Sequence, residues 1–169
     1  MDNLWLKTIN FHGHECPGLA IGFKAAIACR EYLLCSSSKD EEIVCVSENN
    51  ACCIDAIQVI LGCTSGKGNL IINLKGKMVF HFYNRQSGKS IRVSLKDSNS
   101  SFNRDEYKKY LLSSTSEDIF HITESTLPPP EKAKIYKSIR CESCGEKTAE
   151  PFIRVYEGAL LCDDCFNFK

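Results

Sequence analysis

Residues 11–18 read Phe11-His12-Gly13-His14-Glu15-Cys16-Pro17-Gly18, which sets two imidazoles and a thiol at alternate positions. In extended backbone alternate side chains share a face, so His12, His14 and Cys16 are expected to converge. Pro17 suits the first position of the helical pattern that follows, where its missing N–H costs nothing. Cys16 then falls at the helix cap, facing unpaired amide groups at the positive end, a setting that favours thiolate over thiol. A thiolate is both a nucleophile and a soft metal ligand. His14 and Cys16 are therefore the candidate catalytic pair.

A second constellation lies at the other end. Cys141-x2-Cys144 and Cys162-x2-Cys165 are separated by 17 residues, the two-knuckle spacing of zinc modules. Four thiolates surround Zn²⁺ tetrahedrally and leave no open position, so one structural zinc per chain is expected at Cys141, Cys144, Cys162 and Cys165. From Lys137 to Lys169 five basic residues face six acidic ones. Four thiolates and one Zn²⁺ add further negative charge, so the phosphate attraction behind non-specific nucleic-acid binding is absent. A structural or protein-contact role for this module is expected instead.

The elements that must position these residues follow from apolar spacing. Residues 3–10 carry Leu4, Trp5 and Ile9, a short opening helix. From Gly18 to Leu34 apolar residues recur at helical spacing, with Ala20, Gly22, Ala25 and Ala28 leaving thin faces for close packing. Ile43–Val46 reads as a buried strand, and Cys53–Leu61 as a second apolar helix that Gly62 is placed to end. Three strands follow at about 69–74, 78–85 and 90–96. Alternation in the last two, Phe80 and Phe82 against His81 and Tyr83, is that of a sheet with one face buried. This places His81 on a half-exposed face. Asn103 followed by Glu106 resembles a capping box, and a short helix is expected near 116–120. The fold class is α+β, helices packed on a mainly antiparallel sheet, followed by a small zinc-ribbon or treble-clef-like domain. Boundaries fall at 1–127 for the core, 128–136 for a spacer stiffened by Pro128-Pro129-Pro130, and 137–169 for the zinc domain.

Composition narrows the setting. Lys+Arg and Asp+Glu both number 21, so no global field draws the chain to nucleic acid or anionic lipid. No apolar run is long enough to span a bilayer, and Met-Asp-Asn-Leu-Trp lacks the features of a signal peptide. Eleven cysteines without an export signal point to metal ligands and free thiols in a cytoplasmic protein. Cys29, Cys35, Cys45 and Cys53 are expected as core filler, since free cysteine is among the most buried residue types.

Together FHGHECPGLAIGFKAA, ENNACCIDAIQVILGCTSGKGNL and CESCGE…LLCDDC resemble the FmdE family of formylmethanofuran dehydrogenase components, over nearly the whole chain. The resemblance implies an α+β core followed by a zinc finger, and a homodimer. It also implies association with larger redox-enzyme subunits, since in methanogens the name belongs to one component of a molybdenum or tungsten enzyme. Nothing resembles the pterin-binding or iron–sulfur subunits, so this chain alone is not expected to catalyse that enzyme's reaction. Carried over by position, the site candidates are His12, His14, Cys16, Cys52, Asp55, Cys63 and Lys67. Cys53 stands where a small residue is common, which leaves open which thiol of the Cys52–Cys53 pair serves.

These candidates admit a soft N/S site for a second transition metal (Zn, Ni or Fe), with His14, Cys16 and Cys63 as its ligands. The expected role is an accessory or metal-binding component of one-carbon or redox metabolism. A stand-alone thiol- or metal-dependent enzyme, oxidoreductase-related, is the alternative, with a zinc-ribbon adaptor third. Gly62-Cys63-Thr64-Ser65-Gly66-Lys67-Gly68 is not a phosphate loop: its spacing is one residue short and no Ser or Thr follows Lys67. Lys67 is left as a cation for an anionic ligand beside the thiols.

Overall fold

One apolar helix, α2 (Pro17–Tyr32), is the element against which the rest of the first unit packs. Its Leu19, Phe23, Ala25 and Ala26 are wholly buried, as the helical spacing requires. The computed structural model describes residues 2–97 and 101–167, and the chain divides into two units, Met1–Ala133 and Lys134–Lys169. Before α2 runs α1 (Asp2–His12), two residues longer at its C-terminal end than apolar spacing suggests. Its Trp5 meets Phe23 edge-on with centroids 5.2 Å apart. Gly13 then stops it, with a left-handed φ of 95°.

The remaining helices of this unit are α3 (Cys53–Leu61), α4 (Arg104–Ser113) and α5 (Ser116–Ile119). Gly62 ends α3 in the left-handed conformation at φ 67°. The capping box at α4 is complete, Asn103 accepting from the Glu106 N–H while the Glu106 side chain takes the Asn103 N–H. Lys24 of α2 is buried and donates to the Ser114 carbonyl at 2.6 Å, at the cap residue of α4. Burial holds its pKa below the ordinary lysine value, with acidic neighbours opposing.

Five strands make one sheet: β1 (Ile43–Ser47), β2 (Leu70–Ile72), β3 (Val79–Asn84), β4 (Ser90–Leu95) and β5 (Phe120–Thr123). Their order is β2-β1-β3-β4-β5; β1 and β2 are parallel and every other pair is antiparallel. In register, Cys45 faces Phe82, Phe82 faces Ile91, and Phe80 faces Val93, and these side chains join α2 and α3 in the main core. Truncating a buried phenylalanine such as Phe80 to alanine costs about 3–5 kcal/mol. The expected mixture of helices with an antiparallel-dominated sheet is what the chain forms.

Two expectations fail on the far face of the sheet. β3 is buried along its whole length rather than on one side, and His81 is only 2% exposed. The reason is a covering segment. Past β5 the chain crosses this face, where Tyr83 Oη donates to the Leu127 carbonyl at 3.3 Å. Val44, Val46 and Tyr83 form a second small apolar cluster there. Within the stretch expected as a proline-stiffened spacer, Arg85 Nη2 donates to the Glu131 carbonyl at 3.0 Å, and the Ala133 N–H to Glu41 at 3.1 Å. His81 is satisfied by Ser125 Oγ at 2.9 Å and Glu48 Oε1 at 3.4 Å. Burial holds its pKa below the usual imidazole value, Glu48 pulling the other way.

The second unit is built of short hairpins: β6 (Ser138–Arg140) with β7 (Lys147–Ala149), and β8 (Ile153–Tyr156) with β9 (Ala159–Cys162). A 3-10 turn at Glu150–Phe152 joins them, and α6 (Asp163–Asn167) closes the unit. Among the described residues its buried cluster holds Cys141, Leu161 and Cys162, too small to fold a chain by apolar burial. Among the described residues no helix is long and apolar enough to cross a membrane.

Candidate metal centres

Two helix starts meet in the first unit. Cys16 is the N-cap of α2, in extended backbone, its sulfur accepting the Leu19 N–H at 3.2 Å. Cys52 is the cap of α3. They come together because α2 and α3 approach closely at glycines. A Cβ at Gly22 would lie 2.1 Å from the Cys53 carbonyl oxygen, and one at Gly18 would lie 3.2 Å from Cys52 Cβ.

His12, on the last turn of α1, completes the group. Its Nδ1 stands 2.7 Å from Asp55 Oδ2, and its Nε2 stands 3.9 Å from Cys16 Sγ. A carboxylate only accepts, so Nδ1 carries the proton and the Nε2 lone pair is turned toward the sulfurs. One ring nitrogen of His12 and the sulfurs of Cys16 and Cys52 all lie within 4.8 Å of one another. Imidazole and thiols are the donor set of zinc and the softer transition metals, and a carboxylate behind the imidazole is the usual support of a metal-bound histidine. The residues fit a metal. Burial pushes the Cys52 thiol up, and the adjacent Cys16 sulfur adds to this, so a cation between them is what would draw its proton off.

Alternation along an extended loop predicts His12, His14 and Cys16 on one face, but His12 ends a helix and Gly13 breaks the pattern. His14 is exposed; its ring lies against that of His12, centroids 4.6 Å apart, and it does not join the group. Nor does Cys63. The nine residues of α3 separate it from Cys52 by about 13 Å. Cys63 is fully buried, donates to the Ile43 carbonyl at 3.4 Å, and is pushed up to about 12 by burial. Lys67 sits at that same far end, its ammonium on the Ser38 and Lys39 carbonyls at 3.2 and 3.4 Å. Of the neighbouring pair, Cys52 faces the group, while Cys53 is buried and donates to Asn49 Oδ1 at 2.9 Å.

In the second unit Cys141, Cys144, Cys162 and Cys165 bring their sulfurs within 4.8 Å of one another, with Cys144 and Cys162 at 3.9 Å. Tetrahedral Zn–S bonds require sulfurs about 3.8 Å apart, so this cage fits zinc. The first knuckle turns at Gly145, φ 77°, whose N–H returns to the Cys141 carbonyl at 2.9 Å. Backbone N–H groups, that of Cys162 among them at 3.4 Å, hold the Cys141 thiol below its ordinary value.

Comparison with known proteins agrees with this division. Residues 11–135 match the family model described as FmdE, Molybdenum formylmethanofuran dehydrogenase operon. Residues 134–169 match the prokaryotic dksA/traR C4-type zinc finger. A probable S-adenosyl-L-methionine-binding protein of Archaeoglobus fulgidus is 29% identical over 193 residues, covering 95% of this chain and 52% of its own length. The chain thus spans about half the length of that curated relative. A crystal structure of a tungsten formylmethanofuran dehydrogenase FmdE-like protein from Syntrophus aciditrophicus superposes with a TM-score of 0.70 at 22% identity, over 99% of this chain and 92% of that one. The chain belongs to the FmdE family and ends in a C4-type zinc finger.

Proposed function

We propose that this chain is a metal-binding accessory protein of one-carbon or redox metabolism, with a second transition metal at His12, Cys16 and Cys52 besides the zinc of its finger. The observation that carries this reading is the convergence of one imidazole nitrogen and two sulfurs, with Asp55 on the opposite ring nitrogen. Three protein donors leave a coordination position open, where a bound metal supplies a Lewis acid or a redox centre to an incoming group. The chain's own part is to fix the donors. Asp55 holds the His12 tautomer, the Leu19 N–H orients the Cys16 sulfur, and Gly18 leaves room beside both thiols. We place the protein in the cytoplasm, in keeping with eleven free cysteines, as a homodimer that serves larger redox-enzyme subunits.

Metal analysis of the full chain tests the site. Two metals per chain are expected, with Cys16→Ser or His12→Ala removing one and leaving the finger's zinc in place. One metal in the wild type, with Cys16 alkylating readily, would sink the metal reading in favour of thiol chemistry at the same residues.

A further inference from the structure

A third group of cysteines lies in the first unit where α2 ends, at the opposite end of that helix from Cys16. Leu33 caps the helix, and Leu34 takes the left-handed conformation at φ 48°, although it is not glycine. The Cys35 N–H then returns to the Arg30 carbonyl at 3.2 Å. This six-to-one bond past a left-handed residue is a Schellman motif, which turns the chain back over the helix's last turn. The position it brings back is usually apolar and packs on the helix. Here both partners are thiols, and Cys35 Sγ lies 3.9 Å from Cys29 Sγ.

The two differ in access. Cys29 is wholly buried, whereas Cys35 is partly exposed and lines a surface cleft of about 260 Å³ with Ser36, Ser38, Lys39 and Glu42. The Cys29 thiol and the Arg30 charge favour ionisation at Cys35 against its partial burial, while burial raises Cys29 well above the thiol range. An accessible thiol that ionises first beside a buried one is the arrangement of a redox-sensing pair.

We propose that Cys29 and Cys35 form a redox-active dithiol, in which Cys35 meets a peroxide in the cleft and Cys29 resolves it as a disulfide. The Cys35 sulfur attacks one peroxide oxygen, the O–O bond breaks, and the departing oxygen leaves as water with the thiol proton. The Cys29 sulfur then displaces the hydroxyl from the resulting sulfenic acid, losing its own proton to form a second water and the S–S bond. Two thiols are oxidised by two electrons and one peroxide is reduced. Closing from 3.9 Å to a bond of about 2.05 Å needs side-chain rotation and a small shift of the exposed turn at Leu34. This pairing is independent of the metal site proposed above.

The full, zinc-loaded chain is treated with less than one equivalent of hydrogen peroxide, alkylated and digested with trypsin. Cleavage at Lys24, Arg30 and Lys39 puts the two cysteines on separate peptides, 25–30 and 31–39, so their disulfide appears as one cross-linked species. That species is expected before any zinc is released, to vanish in Cys35→Ser, and to return to free peptides with dithiothreitol. In Cys29→Ala, Cys35 is expected to persist as a dimedone-reactive sulfenic acid. Cys35→Ser alters a partly exposed side chain, so its fold does not depend on the outcome. Oxidation that leaves 25–30 and 31–39 unlinked while other cysteines react, or that joins Cys35 to Cys63, overturns the proposal.

Discussion

The cysteine cage of the finger and the proposed metal site of the first unit are built in opposite ways. In the second unit all four donors come from two Cys-x2-Cys knuckles, the first on a tight turn at Gly145 and the second where β9 runs into α6. In the first unit the three donors come from the end of one helix and the starts of two others, and they meet only because α2 and α3 close on each other at Gly18 and Gly22. The local cage has four ligands and almost no core of its own; the assembled group has three donors and a large core behind it. Metal is therefore expected to make the fold in one case, while in the other the fold brings together the donors of the proposed site.

The largest effect is expected where metal makes the fold. Zinc binding in modules of this kind is worth about 10–16 kcal/mol, far more than a small buried cluster can replace. Cys141→Ser is expected to lose the finger's zinc and leave residues 134–169 open to protease. The first unit's thermal transition should remain in place. Digestion followed by mass spectrometry, with zinc counted on the same sample, reads both halves; a protease-resistant tail in strong chelator would break the contrast.

Gly22→Ala tests the other half. Helix propensity alone favours alanine by about 0.5–1 kcal/mol. The new methyl group, however, would sit 2.1 Å from the Cys53 carbonyl oxygen and 2.5 Å from its Cα, both backbone atoms that cannot swing away. Overpacking of this sort costs about 1–3 kcal/mol, so the clash wins and the sign reverses. Denaturant titration should show a less stable first unit, with the proposed core metal released and the zinc of the finger kept. A stabilised variant would mean that α2 and α3 do not set the spacing of Cys16 and Cys52.

The same contrast explains what could be read from sequence. The four-cysteine spacing, the bounds of α3 with its Gly62 stop, and the Asn103 cap are local patterns, and local patterns survive without knowledge of the fold. The core group is not local. Nothing in the spacing of residues 11–18 shows that Gly13 breaks a helix after His12, or that Cys52 arrives from another helix start. Cys63 shares a sequence motif with Cys52, but α3 carries the two to opposite ends. His81 was illegible for a similar reason, because the segment covering it comes from residues 125–127, more than forty positions away. β5 is four residues long and follows α5 directly, so its Phe-His-Ile-Thr reads as a helix end.

The smallest expected effect sharpens the comparison at a single atom. Asp55 accepts from His12 Nδ1 at 2.7 Å and also takes Gln58 Nε2 at 3.2 Å, and about a third of its side chain is exposed. Asp55→Asn keeps an oxygen for the Nδ1–H, so the tautomer and the fold should survive. What it removes is the negative charge that makes Nε2 a stronger donor. Loss of such a supporting carboxylate lowers metal affinity by about 10–100-fold, against complete loss when a ligand itself is removed. Competition with a chelator of known affinity measures the shift at the core site, while the finger, which uses no imidazole, provides the internal reference. Equal core affinity in wild type and Asp55→Asn would reduce Asp55 to a surface partner of His12, and leave the two thiols as the part of the site that holds metal.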